Sequence, residues 1–185
     1  MRLLRRRRAR RRPRLWVLCD VSDSVRAASV FLLEFVAVAQ ELFDRTRTFV
    51  FVSEVAETTR IFAERPLEQA LAAVLGGGAV STAKNSNYGR ALRDFQERFG
   101  REIDRRSTVV IVGDGRTNYG EAAVEAVERL RERSRALLWL CPEPASRWGT
   151  GDSAMPRYAR ASTEVLEATT ARQLEGAARA LVRRR

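Results

Sequence analysis

Two aspartates each follow a short apolar run of the sequence. Asp20 comes directly after residues 15–19, and Asp114 comes after residues 107–112 and one glycine. Continuous apolar runs of this length are typical of buried parallel strands. In an open α/β sheet, ligands bind beyond the carboxyl ends of the strands, at the point where the strand order reverses. If the two strands are neighbours at that point, the carboxylates of Asp20 and Asp114 meet in one crevice.

Hydroxyl groups beside the first aspartate extend this set of oxygen atoms. Ser22 and Ser24 alternate along the turn after Asp20 and are placed to offer their hydroxyls to the same ligand. Carboxylate and hydroxyl oxygens suit Mg²⁺, which prefers octahedral geometry and keeps several waters. The sequence contains no histidine, the commonest transition-metal ligand, so a zinc site is not expected. A single aspartate at a strand end is more often a helix cap or turn former, but two such ends, one within Asp-x-Ser-x-Ser, favour a site for Mg²⁺ or Mn²⁺.

Strand-like and helix-like segments alternate along the whole sequence. Strands are predicted at residues 15–19, 48–52, 57–62, 107–112, 136–140 and 165–166. Helices are predicted at residues 24–43, 66–75, 88–99, 120–133 and 170–182, and a long loop at residues 141–161. This alternation implies parallel strands joined by right-handed crossovers, and therefore an α/β sheet covered by helices on both faces. Three glycines at 76–78 are interpreted as a helix end, because they lack the spacing of a phosphate-binding loop.

Positive charge is concentrated at the two ends of the chain. The net charge is +11, but residues 1–14 hold nine arginines and no acid, and residues 183–185 hold three more arginines. The remainder has 22 basic and 23 acidic residues. We therefore predict an arginine-rich tail or linker over 1–13, one domain over 14–182 and a basic C-terminal end over 183–185. A solvated linker is the favoured interpretation of the tail, and a nucleic-acid-binding module is the alternative.

The two cysteines and the apolar runs bear on the compartment. Cys19 and Cys141 each close an apolar run, and we predict two buried free thiols in a reducing environment rather than a disulfide. No apolar run approaches the ~18 residues needed to cross a bilayer, and the basic start is not followed by the pattern of a signal peptide. These features predict a cytoplasmic protein without a membrane span.

Three segments of the sequence resemble the metal-ion-dependent adhesion site of von Willebrand factor A domains. Residues 20–24, Asp-Val-Ser-Asp-Ser, match the first segment of that site. Residues 85–92 are similar to the second, with Ser86 where the family has a threonine, and residues 110–118 resemble the third, with its aspartate at Asp114. The Gly-Asp-x-Arg-x-Asn pattern, the long loop after it and the arginine-rich start are similar to the bacterial CoxE-like branch of the family.

This resemblance implies a fold, a ligand set and a partner. The fold is a three-layer Rossmann-like arrangement of six mostly parallel strands in the order 3-2-1-4-5-6, with one antiparallel edge strand. The metal ligands implied are the hydroxyls of Ser22, Ser24 and Ser86, with Asp20 and Asp114 binding directly or through water. Mostly neutral direct ligands leave the cation a net charge and an open position, which attract an acidic side chain of a partner protein. The resemblance to CoxE-like proteins implies that this partner is a MoxR-type AAA+ ATPase, or its client, and that the complex acts in metalloenzyme maturation or complex assembly.

The long loop after the strand at 136–140 leaves the sheet at the same edge as the predicted metal. We therefore expect Arg147, Trp148 and Asp152 to flank the metal and to contact the partner. Catalysis is not expected, although Asp20 resembles the nucleophile of haloacid dehalogenase-like phosphatases. Those enzymes need a second carboxylate two residues further on as acid and base, and Ser22 stands there. A Mg²⁺-dependent phosphatase is the less favoured alternative.

Overall fold

The structure, a computed structural model, describes residues 13–23, 45–80 and 86–183, together with the single positions 25, 28, 30, 33 and 43. The helix predicted over 24–43 therefore lies almost entirely outside the described residues, and so does Ser24. The same is true of nearly all of the predicted arginine-rich tail.

Six strands of the described chain form one sheet. Their bounds are β1 Arg14–Asp20, β2 Arg45–Phe51, β3 Val55–Glu57, β4 Ser107–Val112, β5 Ala136–Cys141 and β6 Glu164–Glu167. The strand order is β3-β2-β1-β4-β5-β6. The β2–β3 pair is antiparallel, and every other pair is parallel. This confirms the expected order and the antiparallel edge strand.

Helices connect the strands and follow them. Their bounds are α1 Thr59–Glu64, α2 Leu67–Ala73, α3 Tyr88–Phe99, α4 Val124–Arg133, α5 Met155–Ala161 and α6 Ala171–Arg183. Asn87 caps α3, because its side chain accepts a hydrogen bond from the Arg90 backbone N–H at 2.9 Å. α2 continues as a π-helical turn over Val74–Gly78, in which Gly77 has a φ of 84°. The chain therefore leaves the helix within the three glycines, at a residue type that tolerates this backbone conformation.

The segment predicted as an edge strand over 57–62 is mostly helical, so that prediction is wrong. β3 ends at Glu57, and α1 begins at Thr59. Ile61 and Phe62 both pack against the same apolar layer from consecutive positions of α1. In a strand, consecutive side chains point to opposite faces, so this packing favours the helix.

The loop predicted over 141–161 contains the helix α5, so its description as an unbroken loop is also wrong. Buried Met155, Tyr158 and Ala161 are spaced by three and lie on one face of α5. Pro156 lies in the first turn, where its missing N–H costs nothing. Two helical turns of this kind are too short for periodicity to stand out from the polar residues around them.

The sheet separates two apolar layers. Along β1, Leu15, Val17 and Cys19 face one layer, and Trp16 and Leu18 face the other. α3, α4 and α5 cover the layer with Trp16, and α2 and α6 cover the opposite one. This confirms the three-layer arrangement with helices on both faces of the sheet. It also leaves the carboxyl ends of the strands as the edge at which loops can gather.

Both cysteines are buried free thiols, as predicted. Burial raises the pKa of Cys141 to about 12, so its thiol stays protonated near neutral pH. Within the described ranges, no helix is long and apolar enough to cross a membrane.

Candidate functional site

Asp20 and Asp114 lie at the same edge of the sheet, beyond two adjacent strands. β1 and β4 pair in parallel with Cys19 opposite Val112, so Asp20 ends β1 and Asp114 follows β4 by two residues. Asp20 is 0% exposed and Asp114 is 3% exposed. The order of the strands along the chain reverses between β1 and β4, which is where ligands bind in open α/β sheets. The structure thus brings together the two carboxylates that the sequence places at strand ends.

Two serines join the cluster on the side of Asp20. The backbone N–H of Ser22 donates to Asp20 Oδ1 at 2.8 Å, and the Ser86 hydroxyl lies 3.5 Å from the same oxygen. Both serines are buried. Four of the five predicted metal ligands therefore gather at one edge of the sheet, and the fifth, Ser24, lies outside the described residues.

A buried tyrosine that the sequence analysis does not single out lies between the two carboxylates. The Tyr88 hydroxyl has one hydrogen, which it shares between Asp114 Oδ1, 3.3 Å away, and the carboxylate of Asp20. The backbone of Gly113 comes so close to this hydroxyl that a Cβ atom at residue 113 would collide with it. The helical spacing of α3 identifies Tyr88 only as a buried position, and nothing in the spacing says where its hydroxyl points.

Both carboxyl groups are poorly solvated, and this changes their pKa values. Burial raises the pKa of Asp20 above its usual value, against the opposing hydrogen bonds from Ser22 and Tyr88. Burial also raises the pKa of Asp114 to about 6; the nearby charge of Asp20 adds to this rise, and the Arg116 backbone N–H opposes it. Two buried carboxylates of like charge favour either a proton or a bound cation between them.

The oxygen atoms of this cluster fit a hard divalent cation. The described residues contain no group of three or more histidine, cysteine, aspartate or glutamate side chains arranged to hold a metal ion. A cation at this edge therefore depends on two carboxylates, serine hydroxyls and water, which are donors that Mg²⁺ accepts in proteins. Zinc sites draw mainly on cysteine thiolates and histidine nitrogens. The chemistry of the donor set thus fits Mg²⁺ or Mn²⁺.

A second group of charges joins this cluster to the loop after β5. The Arg116 guanidinium donates to both carboxylate oxygens of Glu143, at 3.1 and 2.8 Å, and to Asp152 Oδ1 at 3.0 Å. We call Arg116, Glu143 and Asp152 the loop clasp. The Arg116 backbone N–H also donates to Asp114 Oδ1, at 2.9 Å. Through Arg116, the loop clasp therefore connects the loop 142–154 to the segment that carries Asp114.

Asn118 extends this connection to Ser86. Its backbone N–H donates to Asp152 Oδ2 at 2.8 Å, and its side-chain amide donates to the backbone oxygen of Ser86 at 2.8 Å. Asn118 has a φ of 49°, a left-handed conformation that asparagine adopts more readily than most residues. In the sequence, Arg116 and Asn118 are visible only as members of a family pattern. The structure gives them a physical role, which is to hold three loops of the candidate site together.

The three residues predicted to contact a partner lie on the loop 142–154 and differ in exposure. Arg147 is exposed, whereas Trp148 is half-buried and its Nε1–H donates to the Glu143 backbone oxygen at 3.1 Å. The carboxylate of Asp152 belongs to the loop clasp. Tyr119, which the sequence analysis does not select, is 86% exposed and follows Asn118 directly. Among the described residues it is the most exposed aromatic side chain.

Comparison with known proteins identifies a family. Residues 1–177 match the family described as "VWA domain containing CoxE-like protein". A von Willebrand factor type A structure from Catenulispora acidiphila is similar with a TM-score of 0.60 and 12% identity, covering 93% of this chain and 42% of that one. Proximal thread matrix protein 1 from the mussel byssus, solved with a zinc-occupied MIDAS motif, is similar with a TM-score of 0.61 and 16% identity, covering 92% of this chain and 47% of that one.

These structural similarities concern the fold alone. The chain spans less than half the length of either protein, and the sequence identities are too low to carry a function across. No curated protein sequence matches the chain.

Proposed function

The chain belongs to the family of VWA domain containing CoxE-like proteins, and we propose that it is a protein-binding adaptor that binds its partner through a divalent cation, Mg²⁺ or Mn²⁺. The observation that carries this proposal is the convergence of Asp20, Ser22, Ser86 and Asp114 where the strand order reverses. Ser22, Ser86 and, from the family signature, Ser24 would ligate the cation through hydroxyls. Asp20 and Asp114 would bind it directly or through water.

The charge balance of such a site explains why it would bind a protein. Serine hydroxyls are neutral, so a cation held largely by them keeps positive charge and an open coordination position. A glutamate or aspartate side chain of a partner supplies both the charge and the last ligand. The mussel protein with its zinc-occupied MIDAS motif supports the view that this fold can hold a divalent cation.

The partner proposed is a MoxR-type AAA+ ATPase or its client enzyme, as membership of the CoxE-like family suggests. We propose that Arg147, Trp148 and Asp152 of the loop 142–154, together with the exposed Tyr119, would contact this partner. The chain would act in metalloenzyme maturation or complex assembly, in the reducing environment of the cytoplasm that its two buried free thiols suit.

Association with a MoxR-type ATPase of the same organism, measured by surface plasmon resonance, tests the proposal. Because the ATPase itself uses Mg²⁺ with ATP, the decisive comparison is between variants at constant Mg²⁺. Asp20→Asn and Ser86→Ala should weaken association at least tenfold. Ser162→Ala is the matched control, because Ser162 is buried to the same degree as Ser86 and its hydroxyl donates to Tyr158 O, away from the carboxylates. Wild-type binding by Asp20→Asn would contradict the proposal.

The arginine-rich tail supports a second candidate, a nucleic-acid-binding module. In the proposed division, the tail occupies residues 1–13, the domain residues 14–182 and a basic end residues 183–185, and nine arginines lie within residues 1–14. Binding to random-sequence DNA that falls steeply with salt, and that is lost on deletion of residues 1–13, would favour this candidate. We expect the deletion to change only the salt dependence of partner association.

We also propose that the chain is not an enzyme. Ser22 stands where a phosphatase of the haloacid dehalogenase type needs its second carboxylate. Hydrolysis of p-nitrophenyl phosphate with Mg²⁺ should stay at the level of the buffer. Turnover that Asp20→Asn abolishes would restore the Mg²⁺-dependent phosphatase.

A further inference from the structure

Tyr88 occupies a rigid position at the candidate site. It is 0% exposed, and aromatic rings surround it. Phe51 meets it edge-on with ring centroids 5.0 Å apart, and Trp139 stacks on it at 6.1 Å with an interplanar angle of 18°. Tyr158 lies 6.2 Å away on the same side as Trp139 and stacks on that indole. The ring of Tyr88 therefore has little freedom to turn its hydroxyl elsewhere.

The Tyr88 hydroxyl is fully engaged with the residues that end the two central strands. Its one hydrogen is shared between Asp114 Oδ1, 3.3 Å away, and the carboxylate of Asp20. The backbone of Gly113, which the hydroxyl touches closely, is itself held by the Trp139 Nε1–H, which donates to its oxygen at 2.7 Å. The phenol is thus a fixed point to which both strand ends are attached.

The hydrogen bonds on Asp114 have a direction. Its two bonds, from the Tyr88 hydroxyl and from the Arg116 backbone N–H, both fall on Oδ1. Two donors on one oxygen restrict the rotation of the Asp114 carboxylate, and one of them, the Tyr88 hydroxyl, lies between Asp114 and Asp20. Groups that orient metal ligands in this way typically change metal affinity by 10- to 100-fold when they are removed.

We propose that Tyr88 is a positioning residue for the cation: its hydroxyl orients the carboxylate of Asp114 and fixes it relative to Asp20, so that the two can share one divalent ion. This inference rests on the proposed function, because it needs a cation at this edge. It adds a residue outside the adhesion-site signature, and it gives the aromatic cluster of Tyr88, Trp139 and Tyr158 a purpose beyond filling the core.

The test compares Tyr88→Phe with Tyr158→Phe. Both tyrosines are 0% exposed and both stack on Trp139, but the Tyr158 hydroxyl donates to Ala122 O at 2.7 Å and takes no part in the carboxylate cluster. Each substitution removes one buried hydroxyl and keeps the ring. Mn²⁺ affinity is measured by calorimetry, the Tm is measured in chelator, and the bound Mn²⁺ is examined by electron paramagnetic resonance.

We expect Tyr88→Phe to lower the Mn²⁺ affinity about tenfold or more and to change the resonance spectrum of the bound ion. Tyr158→Phe should keep wild-type affinity and spectrum, while both variants show a modest fall in Tm. Wild-type affinity in Tyr88→Phe, or an equal loss in both variants, would overturn the inference and leave the proposed function intact. A wild-type protein that binds no Mn²⁺ would overturn both.

Discussion

Replacing Arg116 by glutamine removes the guanidinium of the loop clasp. The carboxylates of Glu143 and Asp152 then lose their positively charged partner. The side chains of Arg116, Glu143 and Asp152 are 26%, 16% and 14% exposed, so water screens the remaining charges poorly. Breaking a buried ion pair lowers the free energy of unfolding by about 3–5 kcal/mol. Because Arg116 is partly exposed, we expect a smaller loss of about 2–4 kcal/mol. For a domain of this size, each kcal/mol lowers the Tm by about 2–4 °C. We therefore expect a fall of roughly 4–16 °C.

Differential scanning calorimetry measures this effect, and Arg93→Gln is the matched control. Arg93 also pairs with two carboxylates, those of Glu121 and Glu125, but on an exposed surface where ion pairs contribute little. The Tm of Arg93→Gln should therefore stay close to that of the wild-type protein. If Arg116→Gln and Arg93→Gln unfold at the same temperature, the loop clasp does not stabilise the fold, and the reasoning from burial is wrong.

Four further outcomes are expected. Mg²⁺ should raise the Tm of the wild-type protein but not that of Asp20→Asn, because a ligand that binds only the folded state stabilises it; no shift at saturating Mg²⁺, with no bound metal by calorimetry, would count against the site. In chelator, stability measured by urea unfolding should fall as the pH rises from 3.8 to about 6. The raised pKa of Asp114 means that its proton binds more tightly in the folded state, so Asp114→Asn should reduce this loss of stability by roughly 3 kcal/mol, while the raised pKa of Asp20 leaves part of the loss in place. Tyr119→Ala should weaken partner association by about 1–2 kcal/mol without changing the Tm, since the ring is exposed, and Trp148→Ala should weaken association and also lower the Tm.

Hydrophobic periodicity predicts the buried strands of this protein better than its short elements. The apolar runs at 107–112 and 136–140 agree with β4 and β5 to within one residue, because a strand buried on both faces must be apolar throughout. The segment 57–62 misleads because its alternation is brief, and the packing of Ile61 and Phe62 decides its structure. Tertiary contacts of this kind are not contained in a local pattern.

The candidate site divides in a similar way. Asp20 and Asp114 can be predicted from their positions after apolar strands, and Ser86 from its resemblance to a family segment. Tyr88 and Arg116 cannot be predicted from spacing alone. Their roles depend on where a hydroxyl and a guanidinium arrive after the helices and loops have packed, and a tyrosine at a buried helical position is usually only part of the core.

β1 begins at Arg14 and ends at Asp20, so these two residues lie at opposite ends of a central strand of the sheet. Seven extended residues place these ends about 20 Å apart. The chain therefore enters β1 at the end of the strand opposite the carboxylates. An anionic ligand bound near Arg14 and a protein bound at the carboxylates, as proposed above, would therefore meet the domain at opposite ends of β1. Two ligands held by one domain raise the local concentration of each for the other, so binding at one end of β1 would favour an encounter with the ligand at the other end.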